Sequence, residues 1–228
     1  MQKFSSHTGT AVALLADNIN TDQIIPSREM KRVSKHGLAD GLFANLRYSD
    51  AATGGKNPNP EFVLNQPHAN GASLLLSGAN FGCGSSREHA VWALQEFGFR
   101  VIVASSFGSI FFDNCIANGM LPIILDQKNI ATLAEHSKTG PLTVDLQQRS
   151  ITSSSIRCYF NLDSNRQELL LNGLSAIDMT LKLAHEIENF IKNDESLRPW
   201  LYPQPEGAAK YRSQIPQPEA VAKRKTND

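Results

Sequence analysis

The sequence carries no excess charge of either sign, few cysteines and no long apolar run, and each lack removes a class of protein. Twenty-two basic residues balance twenty-two acidic ones in 228 residues. A chain balanced in this way is not built to hold nucleic acid or an anionic membrane, both of which recruit clustered lysine and arginine. No apolar stretch approaches the roughly 20 residues needed to cross a bilayer. Residues 1–15 also lack the charged-then-apolar layout of a signal peptide. A cytoplasmic protein is the expectation. The three cysteines, Cys83, Cys115 and Cys158, stand far apart. They are odd in number for a disulfide framework, too few for a four-thiolate iron–sulfur site and not spaced for zinc. No metal ligand set is expected on this chain.

What is present reads as an α/β protein with one main domain, expected to occupy residues 1–201. The apolar stretches Ala11–Leu15, Ala72–Leu76, Val101–Ala104 and Leu121–Leu125 have strand length. The segments Arg87–Phe97 and Gly108–Asn118 between the last three have helix length. That alternation predicts a mostly parallel sheet flanked by helices. A further helix is expected at Lys128–Lys138. Leu142–Leu146 and Ile151–Phe160, either side of Gln147-Gln-Arg-Ser150, predict an antiparallel hairpin that makes the sheet mixed. Between Ser27 and Asn70 lie short amphipathic pieces and the breaker-rich Thr53–Pro60, read as an excursion or flap. Ser175-Ala-Ile-Asp178 opens a helix whose Ile177, Leu181, Ala184, Ile187 and Ile191 form a stripe suited to a core or a subunit interface. From residue 202 the prolines and Lys223-Arg-Lys225 mark a tail expected to be disordered.

The chemistry concentrates in Gly78-Ala-Asn-Phe-Gly-Cys-Gly-Ser-Ser-Arg-Glu-His-Ala90, which joins a predicted strand to a predicted helix. In open α/β sheets ligands bind beyond the carboxyl ends of strands, and a helix amino terminus favours anions. Arg87 adds a planar fork suited to a carboxylate. Nucleotide readings fail on residue identity. A dinucleotide fingerprint needs glycine where Arg87 stands, and a phosphate-binding loop needs Gly-Lys-Ser/Thr. The hydrolase elbow G-x-S-x-G fails because Glu88 fills the final glycine position around Ser86. One structural alternative stays open: Ser85-Ser-Arg-Glu88 is itself a capping box, with Ser85 as the cap of the following helix.

Gly84-Ser-Ser-Arg-Glu-His-Ala90, preceded by Asn80-Phe-Gly-Cys83, resembles the signature of the aconitase superfamily's swivelling domain, specifically that of isopropylmalate dehydratase small subunits. Asn20-Thr-Asp-Gln-Ile-Ile-Pro26, Pro58–Asn65, Ser106–Phe111 and Asn172–Leu181 resemble further segments of that family, in order along the chain. The resemblance implies a swivelling β/β/α domain that binds no cofactor itself and closes over a large subunit carrying a [4Fe–4S] cluster. It implies isomerisation of a hydroxy-diacid, 2-isopropylmalate, to 3-isopropylmalate by dehydration and rehydration, in leucine biosynthesis. It places Ser85 as the catalytic base, Arg87 as the substrate-carboxylate ligand, Ser86 as a neighbouring contact, and Thr21 and Asp22 along the same cleft. Gly82 and Gly84 would let the backbone approach closely. Asn20 stands where the family has aspartate. Cys83 is read as packing, and His89 as structural or as orienting a carboxylate. The isopropyl group needs an apolar pocket, sought in Ser27–Tyr48 with Leu38, Leu42 and Phe43. A sister hydro-lyase acting on a methylmalate or homoaconitate-type acid, and a non-catalytic assembly module, are the alternatives.

Overall fold

Leucine, valine and isoleucine without polar interruption make strands that can be buried on both faces, and the chain buries two of its strands throughout, with a less buried strand on either side. The computed structural model describes residues 1–30 and 34–202. The first half runs β1 (Ser6–Gly9), β2 (Ala11–Leu14), α1 (Thr21–Ile24), α2 (Ala44–Arg47), β3 (Leu74–Ser77), α3 (His89–Phe97) and β4 (Val101–Ala104). There follow α4 (Ser109–Ala117), β5 (Leu121–Ile124), α5 (Gln127–Ser137), β6 (Leu142–Asp145), β7 (Ser150–Thr152) and β8 (Arg157–Tyr159). The last helices are α6 (Ser164–Asn172), α7 (Ala176–Leu181) and α8 (Ala184–Leu197).

Strands β2, β3, β4 and β5 form a parallel sheet in that order. Alternate residues serve two cores. Val12, Leu75 and Ile102 face one that also holds Ile24, Val91 and Leu94. Leu74, Leu76, Val101 and Val103 face another shared with Leu133 of α5 and with Leu142, Val144 and Ile151. Those last three belong to a second sheet, antiparallel, in the order β1-β6-β7-β8. The antiparallel pieces therefore build their own layer and do not extend the parallel sheet. The reason is visible in their burial: β6 alternates buried and half-buried residues, whereas β3 and β4 are buried throughout. A strand with one polar face cannot sit inside a sheet covered on both sides.

Three further differences from the sequence reading have local causes. Ile151–Phe160 is not one strand, because Ser153–Ser155 turn and Ser153 N–H donates to Ile156 O at 3.0 Å. β1 has no apolar pattern to announce it; it is an edge strand paired with β6. Much of the Ser27–Asn70 segment is core, since Leu38, Leu42, Phe43, Phe62 and Leu64 are buried in the first core. Its breaker-rich stretch, Thr53–Pro60, is largely exposed, as are Ser34–Gly37.

The chain divides into two compact units, Met1–Met179 and a second from Thr180. Ser175 and Asp178 bond reciprocally at the start of α7, as the capping pattern predicts. The single helix expected there is two, interrupted before α8. Ile177, Leu181, Ile187 and Ile191 are exposed, so among the described residues the stripe is not core. The tail expected from residue 202 falls, after Tyr202, outside the described residues.

Candidate active site

The carboxyl ends of three neighbouring parallel strands lead into loops that are bonded to one another side by side. After β2, Asn18 N–H donates to Ala79 O at 2.8 Å, and the Asp17 carboxylate accepts from Ala79 N–H at 2.6 Å. Further out, Gly82 N–H donates to Ile19 O (2.7 Å) and Thr21 N–H to Cys83 O (2.9 Å). On the other side Phe81 N–H donates to Ser106 O and Gly108 N–H to Phe81 O, at 3.0 and 2.9 Å. The Gly78–Glu88 loop is thus held between its neighbours nearly to its tip. Two of its residues need glycine. Gly82 has φ +71°, and a Cβ there would lie 2.2 Å from the Phe111 ring; Gly84 has φ +89°. Both predicted loop glycines are placed where only that residue is unstrained.

Beyond this base stand Ser85, Ser86 and Arg87, with the two serines exposed. Thr21 is 1% exposed and donates its hydroxyl to Ser85 O at 3.0 Å, so it meets the loop from beneath. Asp22 is exposed, and its carboxylate accepts from Arg87 Nη1. All five predicted residues come together, but in two tiers: Thr21 beneath, and Ser85, Ser86, Arg87 and Asp22 at the surface. Asn20 caps α1, its Oδ1 accepting from Gln23 N–H at 2.8 Å while Gln23 Oε1 accepts from Asn20 N–H at 2.9 Å. Asparagine does this as well as aspartate, which accounts for the departure from the family pattern.

The capping reading of Ser85 does not hold. Helix α3 begins at His89 with Glu88 as its N-cap residue and no side-chain cap bond. Arg87 accordingly precedes the helix and is not in its first turn. The hydrogen bonds of Ser85 run through its carbonyl, which accepts from Arg87 N–H at 2.8 Å and from Thr21. Glu88 turns away to Asn118.

The isopropyl-pocket expectation also needs correction. Leu38, Leu42 and Phe43 are 1%, 0% and 0% exposed and are packed in the first core, so their side chains line no open pocket in this chain. The sequence reading further missed Glu96 at the end of α3. Its carboxylate accepts from the N–H groups of Gly37 and Ala39 (2.6 and 2.9 Å) and of Leu38, tying that segment to the helix. Burial works to raise the Glu96 pKa, but these three bonds and His36 outweigh it and leave it below the ordinary value. Nothing in a lone glutamate on an amphipathic helix signals such a role.

Cys115 and Cys158 are buried and Cys83 is half-buried, all as free thiols. Burial pushes the Cys115 thiol well up. Among the described residues no three His, Cys, Asp or Glu side chains gather as a metal-holding group, and no helix is long and apolar enough to cross a membrane. His89 lies against Trp92, ring centroids 4.8 Å apart. A hollow of about 660 Å³ between Thr10, His68 and Lys138 contains none of the site residues.

A parallel sheet with an antiparallel layer, and a Gly-x-Gly-Ser-Ser-Arg loop at the parallel strands' carboxyl edge, define an aconitase-type swivelling domain. The family model of the aconitase C-terminal domain matches residues 1–128. The 3-isopropylmalate dehydratase small subunit of Cupriavidus necator is 53% identical over 207 residues, covering 89% of this chain and 99% of that protein. The small subunit of Bacillus cereus is 45% identical over 190 residues, covering 83% and 96%. A crystal structure of 3-isopropylmalate dehydratase from Methanocaldococcus jannaschii superposes with a TM-score of 0.57 at 26% identity, over 81% of this chain and 98% of that one. The chain belongs to the family of 3-isopropylmalate dehydratase small subunits, within the aconitase-type hydro-lyases.

Proposed function

We propose that this chain supplies the proton-transfer and carboxylate-binding half of an enzyme that interconverts 2-isopropylmalate and 3-isopropylmalate through isopropylmaleate, and that a large subunit supplies the rest. The observation that carries the proposal is Ser85. Its side chain is exposed and not used as a helix cap, while its backbone is fixed from two sides. A serine held this way, next to an arginine, is arranged for a ligand.

In the dehydration, deprotonated Ser85 takes the proton from the carbon beside the one bearing the hydroxyl. The C–H electrons become the double bond and hydroxide departs; rehydration delivers the proton from Ser85 to the carbon that lost hydroxide and places hydroxyl on the carbon that lost the proton. Arg87 has five N–H donors. Nη1 is engaged by Asp22, which leaves the rest of the fork to bind a substrate carboxylate. Asp22 is thereby assigned to orienting Arg87, since a second carboxylate facing the diacid would repel it. Thr21 is assigned to holding Ser85, and Ser86 to contacting the substrate beside it.

Serine is a poor base in water, so the site must be dried, yet Ser85 and Ser86 are open to solvent in this chain by itself. Closure by the large subunit fits that need. The large subunit is also assigned the [4Fe–4S] cluster, whose open iron would act as the Lewis acid that eases hydroxide loss. The setting proposed is leucine biosynthesis in the cytoplasm.

The test is absorbance of the unsaturated product on mixing this chain with an iron–sulfur large subunit. Activity is expected only in the mixture. Ser85→Ala should lower kcat by about 10²–10⁴-fold, the range for loss of a general base, with complex formation kept. Turnover by the chain alone, or an unaffected Ser85→Ala, refutes the proposal. Preference for a methylmalate or homoaconitate-type acid would move the chain to a sister hydro-lyase.

A further inference from the structure

The site loop is not self-supporting, and helix α4 touches it at both ends. At the amino end, a Cβ on Gly108 would lie 2.6 Å from Gly82 O and 3.1 Å from Cys83 Cα, so α4 begins directly against the loop. Phe111, one turn on, packs on Phe81 with ring centroids 5.4 Å apart. At the carboxyl end stands Asn118, the C-cap residue of α4. Its Nδ2 donates to Glu88 Oε1 at 2.7 Å and to Asn114 O at 2.9 Å. Its Oδ1 accepts from Trp92 Nε1 at 3.0 Å, and its carbonyl accepts from Gln95 Nε2 at 2.7 Å. Nine helical residues span about 14 Å. Along that length α4 reaches from Gly82, within the loop, to Glu88, where the loop enters α3.

We propose that Asn118 is a positioning residue for the reaction: by holding Glu88, it fixes the carboxyl end of the loop and so the placement of Arg87 and Ser85. The assignment rests on the acid–base and carboxylate roles given above to Ser85 and Arg87. The physical argument is the asymmetry of the loop. Its amino end is fixed by backbone pairing on both sides, but after Cys83 that pairing stops, and Ser85 is held by the Thr21 hydroxyl. Between Ser85 and the first residue of α3, the side-chain restraints are Arg87 to Asp22, a pair open to solvent, and Glu88 to Asn118. Asn118 suits the second task because one planar amide can donate to a carboxylate while accepting from an indole N–H. A misplacement of about 1 Å at reacting groups costs up to ~10²-fold in rate, so a clamp one residue from Arg87 is felt in turnover.

The test uses the assembled enzyme, this chain with its iron–sulfur large subunit. Asn118→Asp replaces the donor facing Glu88 by a like charge and should lower kcat by about tenfold or more. Adding Glu88→Gln restores a donor–acceptor pair in the reverse sense and should recover kcat by at least about threefold. Asn118→Ala, which removes the clamp without adding charge, should lower kcat in the same direction. Amide hydrogen exchange on this chain gives a readout independent of turnover. Exchange at Ala90 and Val91, whose N–H groups donate to Arg87 O and Glu88 O, should quicken in Asn118→Asp and slow again in the double variant. Unchanged kcat in both Asn118 variants, or no recovery on adding Glu88→Gln, overturns the assignment. If these exchange changes appear but Ser85→Ala keeps full activity, the clamp stands and the catalytic reading of the loop is what fails.

Discussion

The two sheets have four strands each, yet only one of them brings the candidate site residues together at its edge. In the parallel sheet every strand ends at the same edge. The loops after β2, β3 and β4 therefore meet there, and residues 65 positions apart, Asp22 and Arg87, form an ion pair. In the antiparallel sheet successive strands end at opposite edges, so its turns are scattered and its side chains serve packing. Its buried residues, Leu142, Val144 and Ile151, complete the core beneath the parallel sheet. Direction of pairing, more than amount of structure, decides which sheet can assemble a site.

The sharpest break of this comparison is in the core. Leu75→Ala in the centre of β3, at a side chain with no exposure, should cost about 2–5 kcal/mol. Thr143→Ala in β6, which loses the 2.8 Å bond to the Thr8 hydroxyl at an exposed pair, should cost under about 1 kcal/mol. Urea unfolding of the two variants measures the gap; equal losses would mean the sheets contribute alike. Next comes the edge where the loops meet. Asp22→Asn should raise KM about tenfold and change kcat less, because Arg87 keeps its charge but loses its orientation. Steady-state kinetics of the mixed enzyme separates the two parameters, and an unaltered KM would remove Asp22 from the site.

A smaller effect reports on the join between the sheets. His7 of β1 bonds Ser73, just before β3, at 2.7 Å, and burial, with Arg100 nearby, holds its pKa below the ordinary value. A histidine depressed in the folded state takes up its proton sooner when unfolded. Its stabilising contribution is therefore present above the unfolded value of about 6.5 and is lost as pH falls through it toward the folded value. Unfolding measured between pH 8 and 5 should show this loss, and His7→Gln should flatten it. The smallest change expected is Asn20→Asp, which exchanges one good helix cap for another and should alter stability by no more than about 0.5 kcal/mol. A larger loss would show that Asn20 does more than cap α1.

The sequence alone determined the four parallel strands, because unbroken apolar runs of that length have no other stable place than a sheet covered on both faces. It also determined the loop that carries the site, since Gly82 and Gly84 with the serines and Arg87 form a pattern that local chemistry makes distinctive. It misplaced the start of α3 and left a capping role for Ser85-Ser-Arg-Glu88 open beside the catalytic one. Serine and glutamate at that spacing have the same local signature whether the glutamate turns back to the helix start or, as here, across to Asn118. Tertiary structure decided that the antiparallel strands form their own sheet, that Leu38, Leu42 and Phe43 are core, and that Glu88, Glu96 and Asn118 hold what lies beside the site. The bonds of Glu88 and Glu96 reach partners 30 and 59 positions away along the chain, and no periodicity or spacing within one segment encodes a partner in another.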